Sequence, residues 1–216
     1  MKGKVAAALG VFLATSHAFG GPARNPVEQT LEPSDDTGWS YSSSVTTYIA
    51  EHDREYASPT ISADLNSLHL ELRYNYEALK TGSIWAGYNL TFGKKVEVEV
   101  MPMIGGVLGD INGIAPGYTI AITSGPVEFY TQGEFFFDWR SSDGNFFYNW
   151  TELSVSPTRW LRVGVALDRT KVINTDIEIR RGPLVGFRYK QFDFTTYWLA
   201  PGREASTFVF AATMDF

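Results

Sequence analysis

Cysteine is absent from the 216-residue chain, so disulfide bonds and thiolate metal sites cannot form. After the first residues there is also no apolar run approaching the ~20 residues that a membrane-spanning helix needs. Basic residues are in deficit, with 18 Lys and Arg against 24 Asp and Glu, and an acidic chain does not attract nucleic acid. The sequence therefore argues against a disulfide scaffold, a helical membrane protein and a nucleic-acid binder, and we expect neither a cofactor nor a metal site.

Short alternating segments are abundant instead. Hydrophobic residues make up 44% of the chain and aromatic residues 15%, and they recur at the two-residue period of β-strands. The clearest segment is Leu68–Tyr76 (LHLELRYNY), with leucines and tyrosines on one face and His69, Glu71 and Arg73 on the other. One face of this strand suits lipid and the other suits water.

The N-terminal 37 residues lack this alternation. Lys2 and Lys4 precede a short apolar run, and small residues follow at Ser16 and Ala18, which is typical of a secretory signal peptide over residues 1–18. Residues 19–37 are polar, acidic and contain proline, and we expect a flexible periplasmic tail there. Residues 38–216 contain the alternating segments and are expected to form the membrane-spanning domain.

Twelve alternating segments, separated by turn residues, predict an all-β, antiparallel, up-and-down transmembrane barrel. Pro59 weakens the second segment because proline cannot donate to a ladder, so ten strands is the alternative. An even number places both termini on the periplasmic side. The predicted strands are Trp39–Ala50, Tyr56–Asp64, Leu68–Tyr76, Ser83–Phe92, Lys95–Gly105, Gly117–Thr123, Val127–Trp139, Phe146–Val155, Trp160–Arg169, Asp176–Tyr189, Phe192–Leu199 and Ser206–Phe216.

The last strand carries the most specific mark. Phe208, Phe210, Met214 and Phe216 share one face, and a strand ending on an aromatic residue resembles the closing strand of Gram-negative outer-membrane β-barrels. The resemblance implies export through the periplasm, recognition of this strand by the outer-membrane barrel assembly machinery, and contact with outer-membrane lipid. The segments LHLELRYNYE and NGIAPGY resemble uncharacterised bacterial envelope proteins, which implies no activity.

A soluble β-protein such as a lipocalin is the alternative fold, with its apolar face turned inward. The strand number, the final Phe216 and the aromatic residues near strand ends favour the membrane barrel, since such residues suit interfacial girdles.

Turn chemistry predicts the orientation. Gly93–Lys94, Gly125–Pro126, Ser156–Pro157 and Lys190–Gln191 are expected to be tight periplasmic turns. The connections between them, such as Leu108–Ala115, face outward, and none is expected to plug the lumen.

Alternation assigns an acidic inward face, in which eleven carboxylates outnumber five basic residues. An open lumen of this charge favours cations. The candidate lumen residues are His69, Glu71, Arg73, Glu97, Glu99, Glu128, Glu134, Asp138, Glu152, Arg162, Arg180 and Arg188; the other inward acids are Glu77, Asp168, Glu178 and Asp193, and the other base is Lys190.

Bulky residues on the same face support a second interpretation. Trp85, Tyr130, Phe136, Tyr148 and Trp150 could fill the barrel while its charges pair as a structural core. The sequence leaves a narrow pore and a filled barrel equally open.

Enzymatic activity is not expected. Outer-membrane phospholipase A has a serine two residues after its catalytic histidine, whereas here Glu71 follows His69 at that spacing. His52 beside Asp53 suggests an omptin-like pair, but adjacent residues point in different directions. We predict a passive, porin-like channel for small cations or polar solutes. A closed barrel with a structural role, or with surface lipid or peptide hydrolase activity, is the alternative.

Overall fold

The computed structural model describes residues 38–50, 55–203 and 206–216. The predicted signal peptide and tail, and also His52 and Asp53, lie outside these residues. Within these ranges no helix is long and apolar enough to cross a membrane. The strands are β1 (Ser40–Ala50), β2 (Tyr56–Leu65), β3 (Leu68–Tyr74), β4 (Thr81–Tyr88), β5 (Leu90–Phe92), β6 (Glu97–Gly109), β7 (Gly113–Ser124), β8 (Val127–Asp138), β9 (Phe146–Thr158), β10 (Leu161–Val172), β11 (Glu178–Tyr189), β12 (Phe192–Leu199) and β13 (Thr207–Asp215).

The strands form one closed antiparallel barrel. Consecutive strands pair with one another except β4 and β5, which both pair with β6, and β1 pairs with β13. Because β4 and β5 keep one register against β6, they act as a single barrel strand interrupted at Asn89. The predicted twelve-stranded up-and-down barrel is therefore confirmed.

The ten-strand alternative is wrong, because β2 pairs along its length with β1 and also with β3. Pro59 lies opposite Val45 of β1, whereas the ladder with β3 begins at Thr60. The missing N–H of Pro59 therefore breaks no bond to β3, which explains how a proline is accommodated in this strand.

Two predicted connections are wrong in position. Ser156 and Pro157 lie inside β9, and residues 159–160 make the turn. Ser156 donates its N–H to the Pro126 carbonyl on the β8 side, so the nitrogen of Pro157 faces β10, where the register shifts between Leu161 and Val163. This bulge accommodates a residue without an N–H. The predicted Leu108–Ala115 loop shrinks to residues 110–112, because β6 and β7 continue pairing through glycines and alternating apolar residues.

The two ends of the barrel differ in their connections. At one end, which also holds both ends of the described barrel sheet, four of the five connections contain two residues. At the other end the connections are longer, and the one between β8 and β9 contains seven residues. Short turns mark the periplasmic end of outer-membrane barrels, so the longer connections mark the external end.

The faces of the barrel follow the sequence alternation. Outward residues are apolar and exposed, such as Leu72 at 51% and Ile84 at 66%, whereas the inward His69 and Glu71 on β3 are 0% and 1% exposed. A lipocalin has the opposite arrangement, with its apolar face inside. The exposed apolar belt is suited to lipid contact.

A substitution at Phe210 tests whether the outward face contacts lipid, because Phe210 faces outward near the middle of β13 and is 45% exposed. We expect Phe210→Arg to lower the free energy of unfolding in phospholipid vesicles by roughly 2–4 kcal/mol, and Met214→Arg near the strand end by roughly 0–1 kcal/mol. Urea titration of the vesicle-inserted protein measures both. Equal losses at the two positions would show that β13 does not follow the depth profile of a bilayer.

Candidate functional site

Large side chains fill the middle of the lumen. Trp85, Phe136, Tyr148 and Trp150 are each at most 1% exposed, and Tyr130 is 3% exposed. A small cavity of about 10 Å³, barely enough for one water molecule, lies within this part of the barrel. The residues that line it are Arg73, Tyr76, Trp85, Met103, Tyr118, Thr119, Gln132, Gly133, Glu134 and Tyr148.

Arg73 is the centre of the largest polar cluster. Its guanidinium forms an ion pair with Glu71 on the same strand and reaches Glu134 across the lumen at 3.3 Å. The Arg73 Cζ atom lies 4.2 Å from the ring centroid of Tyr76 and 4.3 Å from that of Trp85. Arg73 Nη1 also lies 4.0 Å from Glu77. Two cation–π contacts and three ion pairs of Arg73 thus connect β3, β4 and β8 inside the barrel.

The connection after β3 enters the lumen, which corrects two predictions. Tyr76 was expected to face lipid as part of β3, and no connection was expected to fold inward. Asn75 instead has a φ of 55°, a left-handed conformation that asparagine tolerates, and the turn redirects the chain. Tyr76 and Glu77 are consequently 2% and 0% exposed, and the Tyr76 hydroxyl accepts a hydrogen bond from Gln132.

Glu77 is held at the end of this inward turn. Its Oε1 atom accepts hydrogen bonds from Ser83 Oγ at 2.6 Å and from Trp85 Nε1 at 3.0 Å. Burial raises the pKa of the Glu77 carboxyl, and the Arg73 charge and these hydrogen bonds oppose that rise only in part. The buried Glu77 Oε2 and Glu134 Oε1 atoms have no hydrogen-bond partner in the described part of the chain. The cluster is therefore richer in acceptors than in donors.

His69 extends the same cluster toward the periplasmic end. Its Nδ1 atom lies 2.8 Å from Asp64 Oδ1, and its Nε2 atom lies 3.4 Å from Glu71 Oε2. His69 is fully buried and both ring nitrogens have carboxylate partners. This arrangement orients the imidazole as a structural element, out of reach of a lipid or peptide substrate at the surface.

Glu152 organises a second cluster on the opposite wall. It accepts hydrogen bonds from Trp150 Nε1 at 2.7 Å and Tyr197 Oη at 2.8 Å. The other oxygen of Glu152, Oε2, lies 3.2 Å from Arg162 Nη1. The same Arg162 nitrogen lies 3.7 Å from Glu128 Oε1. This network joins the four strands β8, β9, β10 and β12, and both oxygens of the Glu152 carboxylate have a partner.

The remaining arginines are also paired. Arg180 is bonded to Asp168 and lies 3.5 Å from Glu178, while Arg188 lies 3.4 Å from Asp193 near the periplasmic end. All four lumen arginines therefore have a carboxylate partner.

The other predicted lumen acids lie toward the barrel ends. Glu97, Glu99 and Glu128 share the inward face near the periplasmic end, where Thr123 pairs with both Glu97 and Glu128. Glu97 is exposed, and the other two are half-buried. Asp138 lies at the external end and accepts a hydrogen bond from the Arg140 backbone at 2.7 Å. The structure thus separates these acids from the central cluster.

Sequence reasoning missed two of the central residues. Tyr76 was missed because the two-residue alternation gives no sign of the turn at Asn75. Asp64 lies on the inward face of β2 with Ser62, so alternation could have found it, but Pro59 made that segment a weak prediction. Phe208, Phe210 and Met214 lie on the outward face of β13, away from the lumen, and Phe216 directly follows this strand and is 62% exposed.

Solved structures with a similar fold include porins. The KdgM porin matches over 81% of this chain and 99% of its own, with a TM-score of 0.60 and 12% identity. The chain has the fold of a porin barrel. The KdgM porin in complex with disordered oligogalacturonate matches over the same shares, with a TM-score of 0.59 and 10% identity. No protein-family model matches the sequence, and no curated protein matches it significantly.

Arg73 should carry much of the barrel's internal stability. We expect Arg73→Met to lower the free energy of unfolding by about 3–5 kcal/mol, because it leaves Glu71 and Glu134 buried without their cation. Arg188→Met is the control, because the Arg188 side chain is 38% exposed and such a pair contributes roughly 0–1 kcal/mol. Urea unfolding in vesicles measures both.

Adding Glu71→Gln to the Arg73→Met variant should recover part of the loss, since one unpaired charge is removed. A double variant that is no more stable than Arg73→Met would show that the loss comes from packing around Tyr76 and Trp85 instead.

Proposed function

We propose that the protein is a narrow, porin-like channel of the Gram-negative outer membrane that favours small cations and polar solutes. The observation that carries this proposal is the charge balance of the lumen. All four lumen arginines are ion-paired, whereas Glu97 and Glu99 have no ion-pair partner among the described residues. Unpaired carboxylates at a pore mouth raise the local concentration of cations and repel anions.

The KdgM comparison sharpens the choice of solute. Oligogalacturonate, present in one of the similar structures, is a polymer of acidic sugars. An acidic mouth around Glu97, Glu99 and Glu128 disfavours such a polyanion. The shared barrel therefore supports a channel, and the side chains support a solute of opposite charge.

The filled centre determines how narrow the channel is. Tyr76 and Glu77 enter the lumen from the β3–β4 connection and meet Gln132, Trp85 and Arg73 there. Passage requires water and ions to pass this constriction or to displace the connection. The same packing favours the second candidate, a closed barrel whose interior acts as a structural core.

Localisation and assembly belong to the same proposal. The exposed apolar belt, the short turns at one end and the porin fold support insertion in the outer membrane after export through the periplasm. The outward aromatic residues of β13, including Phe208 and Phe210, are the surface we propose for recognition by the barrel assembly machinery.

Ion selectivity tests the role of the acidic mouth. Purified protein in planar bilayers should show discrete conductance, and the reversal potential in a KCl gradient should have the sign of cation preference. The triple variant Glu97→Gln, Glu99→Gln and Glu128→Gln should move that potential toward zero, because the mouth loses three negative charges.

A charge-matched control replaces Asp110, Asp143 and Asp176 by Asn in the external connections, and it should change the reversal potential less. A selectivity unchanged in the mouth variant would contradict the proposed filter. Absence of conductance at all voltages would leave the closed barrel as the function.

The constriction can be tested separately with neighbouring tyrosines. Tyr76→Ala should raise the single-channel conductance, because it removes the largest side chain that the inward turn brings into the lumen. Tyr74→Ala is the matched control, because Tyr74 faces outward and is 48% exposed. Equal conductance in the two variants would show that the inward turn does not limit passage.

A further inference from the structure

The outward face of the barrel carries very little charge. Among outward positions of the described strands, only three side chains are charged, and all three are basic: Arg169, Lys171 and Arg181. They lie on the neighbouring strands β10 and β11. No carboxylate occupies an outward position on the strands that the structure describes, so this basic patch (Arg169, Lys171 and Arg181) is the single departure from a neutral surface there.

The strand register brings the three cations together. Arg169 lies opposite Ile179, and Arg181 lies opposite Leu167, so the two arginines are diagonal neighbours on one face. Diagonal neighbours of an antiparallel pair are about 7–8 Å apart. Lys171 follows two positions after Arg169 on the same face, at roughly 7 Å along the strand. One doubly charged anion can therefore contact more than one member of the patch.

The patch lies close to the external rim. Arg169 is three residues before the end of β10 at Val172, and Arg181 is three residues after the start of β11 at Glu178. A tilted strand needs about 9–11 residues to cross the hydrocarbon core, and β10 has 12. These positions thus correspond to the boundary between acyl chains and headgroups on the external side.

Intramolecular ion pairs do not account for the patch. Arg169 and Arg181 are exposed and form no salt bridge with any residue that the structure describes, while Lys171 donates a hydrogen bond to the Thr175 carbonyl. The lumen arginines differ, because each of them is paired with a carboxylate. Two guanidinium groups on a lipid-facing surface, without an ion-pair partner among the described residues, are suited to an anion supplied by the membrane.

We propose that the basic patch binds the phosphate groups of a phosphorylated glycolipid in the outer leaflet. Arg169 and Arg181 donate charge-assisted hydrogen bonds to phosphate oxygens, for which the guanidinium fork is well matched. Lys171 adds a third positive charge at the rim. Phe147, opposite Lys171, and Ile179 provide apolar surface for the acyl chains on either side. The proposal rests on the proposed outer-membrane location and is independent of conduction.

The test measures binding of lipid A to the folded barrel in detergent by native mass spectrometry. Bis-phosphorylated lipid A is compared with dephosphorylated lipid A and with phosphatidylglycerol. The variant is Arg169→Gln with Arg181→Gln, and the control is Lys80→Gln with Arg140→Gln, which removes two exposed cations from external connections. Heat-dependent migration in gels verifies that each variant is folded.

We expect the wild type to prefer bis-phosphorylated lipid A, and the patch variant to bind it at least about tenfold more weakly, since two charge-assisted contacts are lost. The control should bind as the wild type does. Added salt should weaken wild-type binding.

Three results would overturn the proposal: a patch variant that keeps wild-type affinity, equal affinity for dephosphorylated lipid A, or equal affinity for phosphatidylglycerol. The last two would show binding of acyl chains or of any anionic headgroup instead. Conductance measured on the same samples separates this outcome from failure of the channel.

Discussion

Closure of the β1–β13 seam is the constraint on which the rest of the structure depends. Unpaired backbone N–H and C=O groups are costly in hydrocarbon, so a sheet is stable in a membrane only when it has no free edge. The register from Ser42 opposite Asp215 to Ala50 opposite Thr207 provides that closure. Once the sheet is closed, each strand has one face toward lipid and one toward a confined interior, and the alternation in the sequence follows from this.

A confined interior creates a second requirement. Side chains that face inward leave bulk water, so each charge needs a partner or an exit to solvent. The chain meets this requirement with clusters around Arg73, Glu152 and Arg180, each of which joins residues from different strands. Toward the periplasmic mouth solvent is close, and Glu97 and Glu99 remain there without ion pairs among the described residues. Pairing at the centre and exposure at the mouth are thus two responses to one gradient of solvation.

The difference between local pattern and long-range pairing explains which features could be predicted from the sequence. Strand number, inward and outward faces and turn polarity depend on a two-residue period and on turn residues, which are local. Alternation therefore placed Glu71, Arg73 and Glu134 on inward faces, but it could not show that Arg73 and Glu134 meet, because 61 positions separate them. The prediction for Tyr76 failed for another reason, because the left-handed conformation of Asn75 ends the alternation of β3 and turns Tyr76 into the lumen.

In the channel we propose, the constriction and the charge filter lie in different parts of the barrel. Tyr76 and Glu77 narrow the lumen through a connection anchored by Arg73 and Trp85, whereas the unpaired acids lie at the periplasmic mouth. A porin fold can therefore change its solute preference by substitution at the mouth without disturbing the core. A larger opening instead requires loss of contacts that stabilise β3, β4 and β8 together. In the channel we propose, selectivity is thus the more easily altered property, and pore size is the more strongly constrained one.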